Sequence, residues 1–365
     1  MAAIDINRTE RPRDVRTFVT RCMQVGRPAM ISGPPGIGKS DLIAEIGREQ
    51  NRPVIDMRLL LIEPTDLKGI PFFDPESKTM KWAQPADLPS ETHMNNAILF
   101  LDEINAAPPS VQAAAYQLIL NRRVGEYRLP DGVSIVCAGN RDSDKGVTYR
   151  MPSPLANRLV HVEMACNFED WQKWALNENL DARVVGFLSQ HKQKLFNFDA
   201  KSPDKAFATP RTWHFVSQLM SDDLPESMNT ALVAGTVGEG MAIEFAQHCK
   251  VSARMPKPED VLLGKVTTLD VKELSAMYSL TVSLCYTLRD WVNKAKANED
   301  GFDMKKWYEC VDNFFTYMMA NFQAEMTVLG AKTALREFEL PIQPREIKSF
   351  AAFNKQFGKY ILDSN

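Results

Sequence analysis

Short uninterrupted apolar runs alternate with amphipathic stretches up to about residue 165, and beyond it the short runs stop. In PRDVRTFVTRCMQV, residues 12 to 25, Val15, Phe18, Val19 and Met23 recur at helical spacing, and Gly26 to Pro28 ends the predicted helix. AMISG then reads as a strand, DLIAEIGREQ as a helix and PVIDMRL as a second strand. NAILFLDEIN is a third strand, PPSVQAAAYQLILNRR a helix opened by proline, and GVSIVCAGN a fourth strand. Strands apolar on both faces, alternating with helices, predict an α/β unit whose parallel sheet is covered by helices.

Between the second and third strands, residues 61 to 89 are rich in proline and carry the turn DPESK between FF and TMKW, which predicts an inserted hairpin. After residue 165, FEDWQKWALNENL, DARVVGFLSQHKQKLF and most later stretches read as helices, broken around ARMPKPEDV and LPIQPRE. At 365 residues the chain is long enough for more than one folding unit.

Composition narrows the picture modestly. A 44% hydrophobic and 24% charged chain is of ordinary globular type, and its net charge of -3 gives no bulk attraction to nucleic acid or anionic membrane. Cys22, Cys137, Cys166, Cys249, Cys285 and Cys310 lie far apart with no C-x-x-C pair, and are expected to be reduced, buried thiols. The start MAAIDINRTERPRD lacks the apolar core of a signal peptide and no later run is long enough to span a membrane, so a cytoplasmic protein is expected. His93, His161, His191, His214 and His248 have no metal-ligand spacing.

The chemistry concentrates in ISGPPGIGKSDL. Gly33, Pro34, Pro35, Gly36, Ile37, Gly38, Lys39 and Ser40 fit G-x-x-x-x-G-K-[ST] between a strand and a helix that opens with Asp41. Glycines let backbone N–H groups approach phosphate oxygens, and the helix N-terminus adds a favourable dipole. Lys39 would reach the β/γ-phosphates and Ser40 would ligate Mg²⁺, against the bland alternative of a chance glycine turn. In ILFLDE an apolar strand ends in two acids, placing Asp102 to hold the metal and Glu103 to polarise water. That pairing points to hydrolysis; a solvated strand end and a kinase acting on a small acceptor are the alternatives. No N-K-x-D guanine-reading motif occurs, so ATP is favoured over GTP.

GPPGIGKS and ILFLDEIN, followed by APPSVQAAAYQLILNRRV, VSIVCAGN and GVTYRMPSPLANRL, resemble the AAA+ ATPases of the MoxR-like branch over about residues 12 to 215. The resemblance implies a P-loop AAA+ parallel-sheet domain (12–165) with a helix-2 hairpin insertion after EPTDLKG. An α-helical lid (166–262) and a C-terminal helical extension (263–365) would follow. It gives Asn140 the role of sensing the γ-phosphate and positioning water. Arg158 becomes an arginine finger acting across the subunit boundary, with Arg150 as its rival, and Arg211 a lid arginine touching the phosphates of its own subunit. It further implies a homo-hexameric ring that remodels a protein client, commonly with a partner carrying a von Willebrand factor A domain.

Two loops are candidates for contacting that client. The hairpin with Phe72, Phe73, Lys81 and Trp82 either grips a partner or is pinned to its own domain by those rings. Arg122, Arg123 and Arg128 form a basic segment that either contacts phosphate or an acidic surface, or is a solvated turn. The second option keeps open a nucleic-acid motor or loader. The aromatics of MKKWYECVDNFFTYMMANF are expected to pack a helical core or a partner helix.

Overall fold

The computed structural model describes residues 9–141, 144, 149 and 151–362. They divide into two compact units, one containing the described residues up to Asn167 with Phe198–Pro203, the other Phe168–Asn197 and the chain from Asp204 onward.

In the first unit the strands are β1 (Thr9–Glu10), β2 (Ala29–Ser32), β3 (Val54–Arg58), β4 (Ile70–Asp74), β5 (Thr79–Ala83), β6 (Ile98–Asp102), β7 (Arg123–Val124), β8 (Tyr127–Arg128), β9 (Ser134–Gly139) and β10 (Val160–Met164). Six of them form one sheet in the order β1-β10-β2-β9-β6-β3, and every pairing in it is parallel. Helices α1 (Pro12–Gln24), α2 (Lys39–Glu49), α3 (Pro64–Lys68), α4 (Pro109–Asn121) and α5 (Ser153–Ala156) connect them. The predicted parallel α/β sheet is therefore present, widened by β10 and the two-residue β1.

The central strands are apolar because both faces are covered. Ile98, Leu99, Phe100 and Leu101 are all buried, as are Val136, Cys137 and Ala138 beside them, each large side chain contributing about 1.5–3 kcal/mol by leaving water. Arg52 ties the other edge together: its guanidinium donates to the carbonyls of Asn96, Ala97 and Gly132 and to Ser134 Oγ, clamping the N-terminal ends of β6 and β9. The inserted hairpin is β4 paired antiparallel with β5, with Phe72 opposite Lys81 and Pro71 opposite Trp82.

The second unit contains only helices among its described elements. Its α-helices are α6 (Phe168–Asn177), α7 (Ala182–Gln190), α8 (Pro210–Leu219), α9 (Glu226–Val237), α10 (Glu239–Ser252), α11 (Pro258–Leu262), α12 (Leu274–Ala297), α13 (Met304–Asn321), α14 (Ala324–Lys332) and α15 (Phe350–Leu362), with short 3-10 and π turns between some of them. The aromatic stretch of α13 is core: Trp307, Phe314 and Phe315 are buried against Leu284, Leu288 and Phe353 in one continuous cluster. In α12 the run from Ser275 to Val282 is buried on all sides, and Gly186 of α7 lies directly against Ser279. No described helix is long and apolar enough to cross a membrane.

Candidate nucleotide-hydrolysing site

Three neighbouring strands, β2, β9 and β6, deliver the predicted residues to their C-terminal edge, where parallel sheets open their ligand crevice. Beyond Ser32 the chain turns through Gly33 to Gly38. Gly36 (φ 74°) and Gly38 (φ 90°) have left-handed backbones that a side chain would strain, and Gly38 caps α2. Gly33 is constrained by space, since a Cβ there would sit 2.7 Å from the Met164 carbonyl oxygen and 2.9 Å from Ile37 Cδ1. Gly33, Pro34 and Ile37 are buried, so the loop is anchored from below while Gly36 and Gly38 stay partly exposed.

Lys39 Nζ folds back over the loop and donates to the carbonyls of Gly33 (2.8 Å) and Pro34 (3.0 Å) and to Asn140 Oδ1 (3.4 Å). Ser40 Oγ donates to Asp102 Oδ2 at 2.9 Å, while Asp102 Oδ1 accepts the backbone N–H of Glu103 at 2.8 Å. A hydroxyl and a carboxylate meeting beside a phosphate-shaped loop are the hard oxygen donors a Mg²⁺ ion takes, so the residues fit that ion. Glu103 has a left-handed backbone (φ 56°), uncommon for a residue with a side chain, which turns the chain sharply out of β6. Asp41 is exposed in the first turn of α2.

Thus Gly33–Ser40, Asp102, Glu103 and Asn140 share one end of the sheet. Arg158 does not join them. It is exposed, touches the Pro154 carbonyl at 3.5 Å, and precedes β10 at the strand's N-terminal end, where Val160 pairs with Ala29. The P-loop lies past the opposite end of those same strands. Its rival Arg150 lies outside the described residues. Arg211 belongs to the second unit, exposed in the first turn of α8, whose cap is the reciprocal pair Thr209 and Thr212.

Two polar side chains near the acids had no sequence signal beyond being polar within apolar strands or turns. Asp56 of β3 has its carboxyl held above the usual range, by desolvation first and by the neighbouring Asp102 carboxylate second, with Arg58 opposing. Asn105 is buried and donates to the Asn140 carbonyl at 2.7 Å. Next to Asn140, Arg141 is held by Asp144 (2.9 Å) and Glu163 (3.3 Å).

The insertion exposes Ile70, Phe72, Phe73 (66% exposed) and Met80, while Lys81 pairs with Asp74 and the backbone N–H of Trp82 donates to Glu126 Oε2 (3.4 Å). In the basic segment, Arg122 donates to the carbonyls of Pro130 and Val133 (2.5 and 2.9 Å), leaving Arg123 and Arg128 as its exposed arginines. The cysteines are unpaired thiols, and burial pushes those of Cys137, Cys166, Cys249 and Cys285 up to about 12. No group of side chains suited to a metal by His, Cys, Asp and Glu alone occurs among the described residues.

Residues 29–162 match the family described as ATPase family associated with various cellular activities (AAA). This segment, which carries the P-loop and the acids at the end of β6, is similar to the AAA ATPase domain. The chain is 27% identical over 152 residues to a midasin of Giardia intestinalis, a match that spans 40% of this chain and 3% of that far longer protein. Among solved structures, a RuvB variant of Thermotoga maritima is 15% identical with a TM-score of 0.37, over 66% of this chain and 68% of its own. NtrX of Brucella abortus in complex with ATP is 16% identical with a TM-score of 0.36, over 79% of this chain and 66% of its own.

Proposed function

We propose that the chain works as a Mg²⁺-dependent AAA+ ring of the MoxR-like type, a homo-hexamer in which ATP hydrolysis remodels or activates a protein client. The observation that carries this reading is the separation within one chain: Lys39, Ser40, Asp102, Glu103 and Asn140 converge at one end of the sheet, and Arg158 stands exposed at the other. A finger so placed serves a neighbour. In this reading the P-loop from Gly33 to Ser40, with Asp41 beginning its helix, holds the triphosphate, and Ser40 and Asp102 hold Mg²⁺, which neutralises phosphate charge. Glu103 polarises the attacking water and Asn140 orients it, with Arg211 reporting from a lid of residues 166–262 and residues 263–365 extending it.

The client is taken to be protein because the exposed apolar side chains of the β4–β5 hairpin offer a protein-docking surface. With Arg122 held by backbone carbonyls and a net charge of -3, the basic segment is a weak footprint for a nucleic-acid motor or loader. A partner with a von Willebrand factor A domain is the expected companion.

The test uses Glu103→Gln as an ATP-locked bait in a native lysate, with ATP and ADP compared. ATP-dependent capture of a protein supports the reading; nuclease-sensitive nucleic acid without such a protein moves it to the motor. Arg158→Ala should bind ATP as a monomer yet hydrolyse none, and mixing it with Glu103→Gln should restore part of the turnover. Normal hydrolysis by Arg158→Ala alone would remove the finger from this residue.

A further inference from the structure

Three residues past Asp102, the chain has left β6 through the left-handed turn at Glu103 and runs back against β9, with the Ile104 N–H donating to the Ala138 carbonyl at 3.1 Å. This return buries Asn105, 8% exposed, under the end of β9. Its Nδ2 donates to the backbone carbonyl of Asn140 at 2.7 Å, and the Asn105 backbone carbonyl accepts the backbone N–H of Tyr149 at 2.6 Å. Asn140 in turn accepts Lys39 Nζ on its side-chain oxygen. The amide is held in one orientation, because only its nitrogen can donate to a carbonyl.

We infer that Asn105 is a positioning residue for hydrolysis, a strut that fixes the Asn140 backbone against the turn carrying Asp102 and Glu103. The inference rests on the roles proposed above for Glu103 and Asn140. Two observations argue that this amide is more than packing. Its Oδ1 is buried without a hydrogen bond among the described residues, a cost that an apolar side chain at this position would avoid. The room it occupies also depends on Gly139, where a Cβ would approach Asn105 Cγ to 2.9 Å and Oδ1 more closely still. A buried, half-satisfied amide kept in place by a missing side chain, between the two turns that bring Glu103 and Asn140 together, is suited to setting their relative position. A shift of a catalytic group by an ångström slows chemistry far more than it weakens binding.

The experiment compares Asn105→Ala, which removes the donor, Asn105→Asp, which sets a carboxylate oxygen against the Asn140 carbonyl, and Gly139→Ala, which presses the amide from its other side. Turnover, affinity for a fluorescent ATP analogue and thermal unfolding are measured on the full chain, with Glu103→Gln as reference. The expected result is a kcat lowered about 10- to 100-fold in all three, Asp more than Ala, with nucleotide affinity within about threefold of the parent. Unfolding should remain cooperative at a similar temperature. The proposal is overturned if Asn105→Ala turns over within about twofold of the parent, or if kcat falls only in step with lost nucleotide binding and stability. If Glu103→Gln itself hydrolyses ATP normally, the failure lies in the reading of the site, and the Asn105 comparison separates the two.

Discussion

Gly186 of α7 meets α12 so closely that an added methyl group has nowhere to go. A Cβ built on it falls 2.6 Å from the Ser279 backbone nitrogen and 2.8 Å from Ser279 Cα, with Ser279 Oγ closer still. Those are backbone atoms of a buried helix, so Gly186→Ala must push the two helices apart. Overpacking of this kind costs about 1–3 kcal/mol, and the upper end applies because no flexible side chain can yield. Alanine's better helix propensity returns about 1 kcal/mol, leaving a net loss of about 2 kcal/mol. Gly235 of α9 supplies the matched control, since a Cβ there meets nothing within 4 Å. Gly235→Ala should therefore stabilise by about 0.5–1 kcal/mol. Urea and thermal unfolding of both variants should show shifts of opposite sign, with about 2–4 °C in Tm per kcal/mol for a unit of this size. Equal shifts, or a stabilised Gly186→Ala, would show that the helix contact is not as tight as described.

His248 gives a pH-dependent counterpart in the same unit. Burial pulls its pKa from 6.5 down to about 4, and the neutral ring bonds Ser275 at 2.8 Å and Ser279 at 3.2 Å. The unfolded chain takes up this proton below pH 6.5 and the folded chain not until about 4, so stability falls as pH drops through that window, by about 2 kcal/mol between pH 7 and 5. His248→Gln should lose that share of the slope in unfolding titrations; an unchanged slope would sink the assignment. At the P-loop, Gly33→Ala should weaken ATP binding about tenfold or more by displacing the loop from the Met164 carbonyl, and calorimetry showing parent-like affinity would contradict it.

What the sequence reveals depends on how local the determinant is. The P-loop is legible because its backbone requirements sit in consecutive glycines, and β2, β6 and β9 because strands buried on both faces must be apolar throughout. The hairpin insertion announces itself through DPESK. By contrast, β1 has only Thr9 and Glu10 and gains its identity from pairing with Glu163 and Met164, across most of the unit. Asn105 and Asn140 lie 35 positions apart, and nothing in either segment alone reveals that one holds the other. Arg122 shows the same limit: in a run with Arg123 and Arg128 it reads either as a contact to phosphate or an acidic surface or as part of a solvated turn, yet its guanidinium is held by two carbonyls of the following turn. Composition counts charges but not the backbone oxygens waiting for them.

β3 and β6 are neighbours in the sheet, paired rung for rung from Val54 with Ile98 to Arg58 with Asp102. Everything between them is consequently an excursion that leaves one strand and returns to the next, with both ends fixed by pairing that does not depend on the intervening chain. The entropy of closing such a loop grows only slowly with its length. The β4–β5 hairpin is thus a replaceable module: it can be lengthened, shortened or exchanged for a foreign recognition element while the register that seats Asp102 beside Ser40 stays as it is. A lineage, or an engineer, could exchange the surface presented at that one point without touching the residues gathered at the end of the sheet.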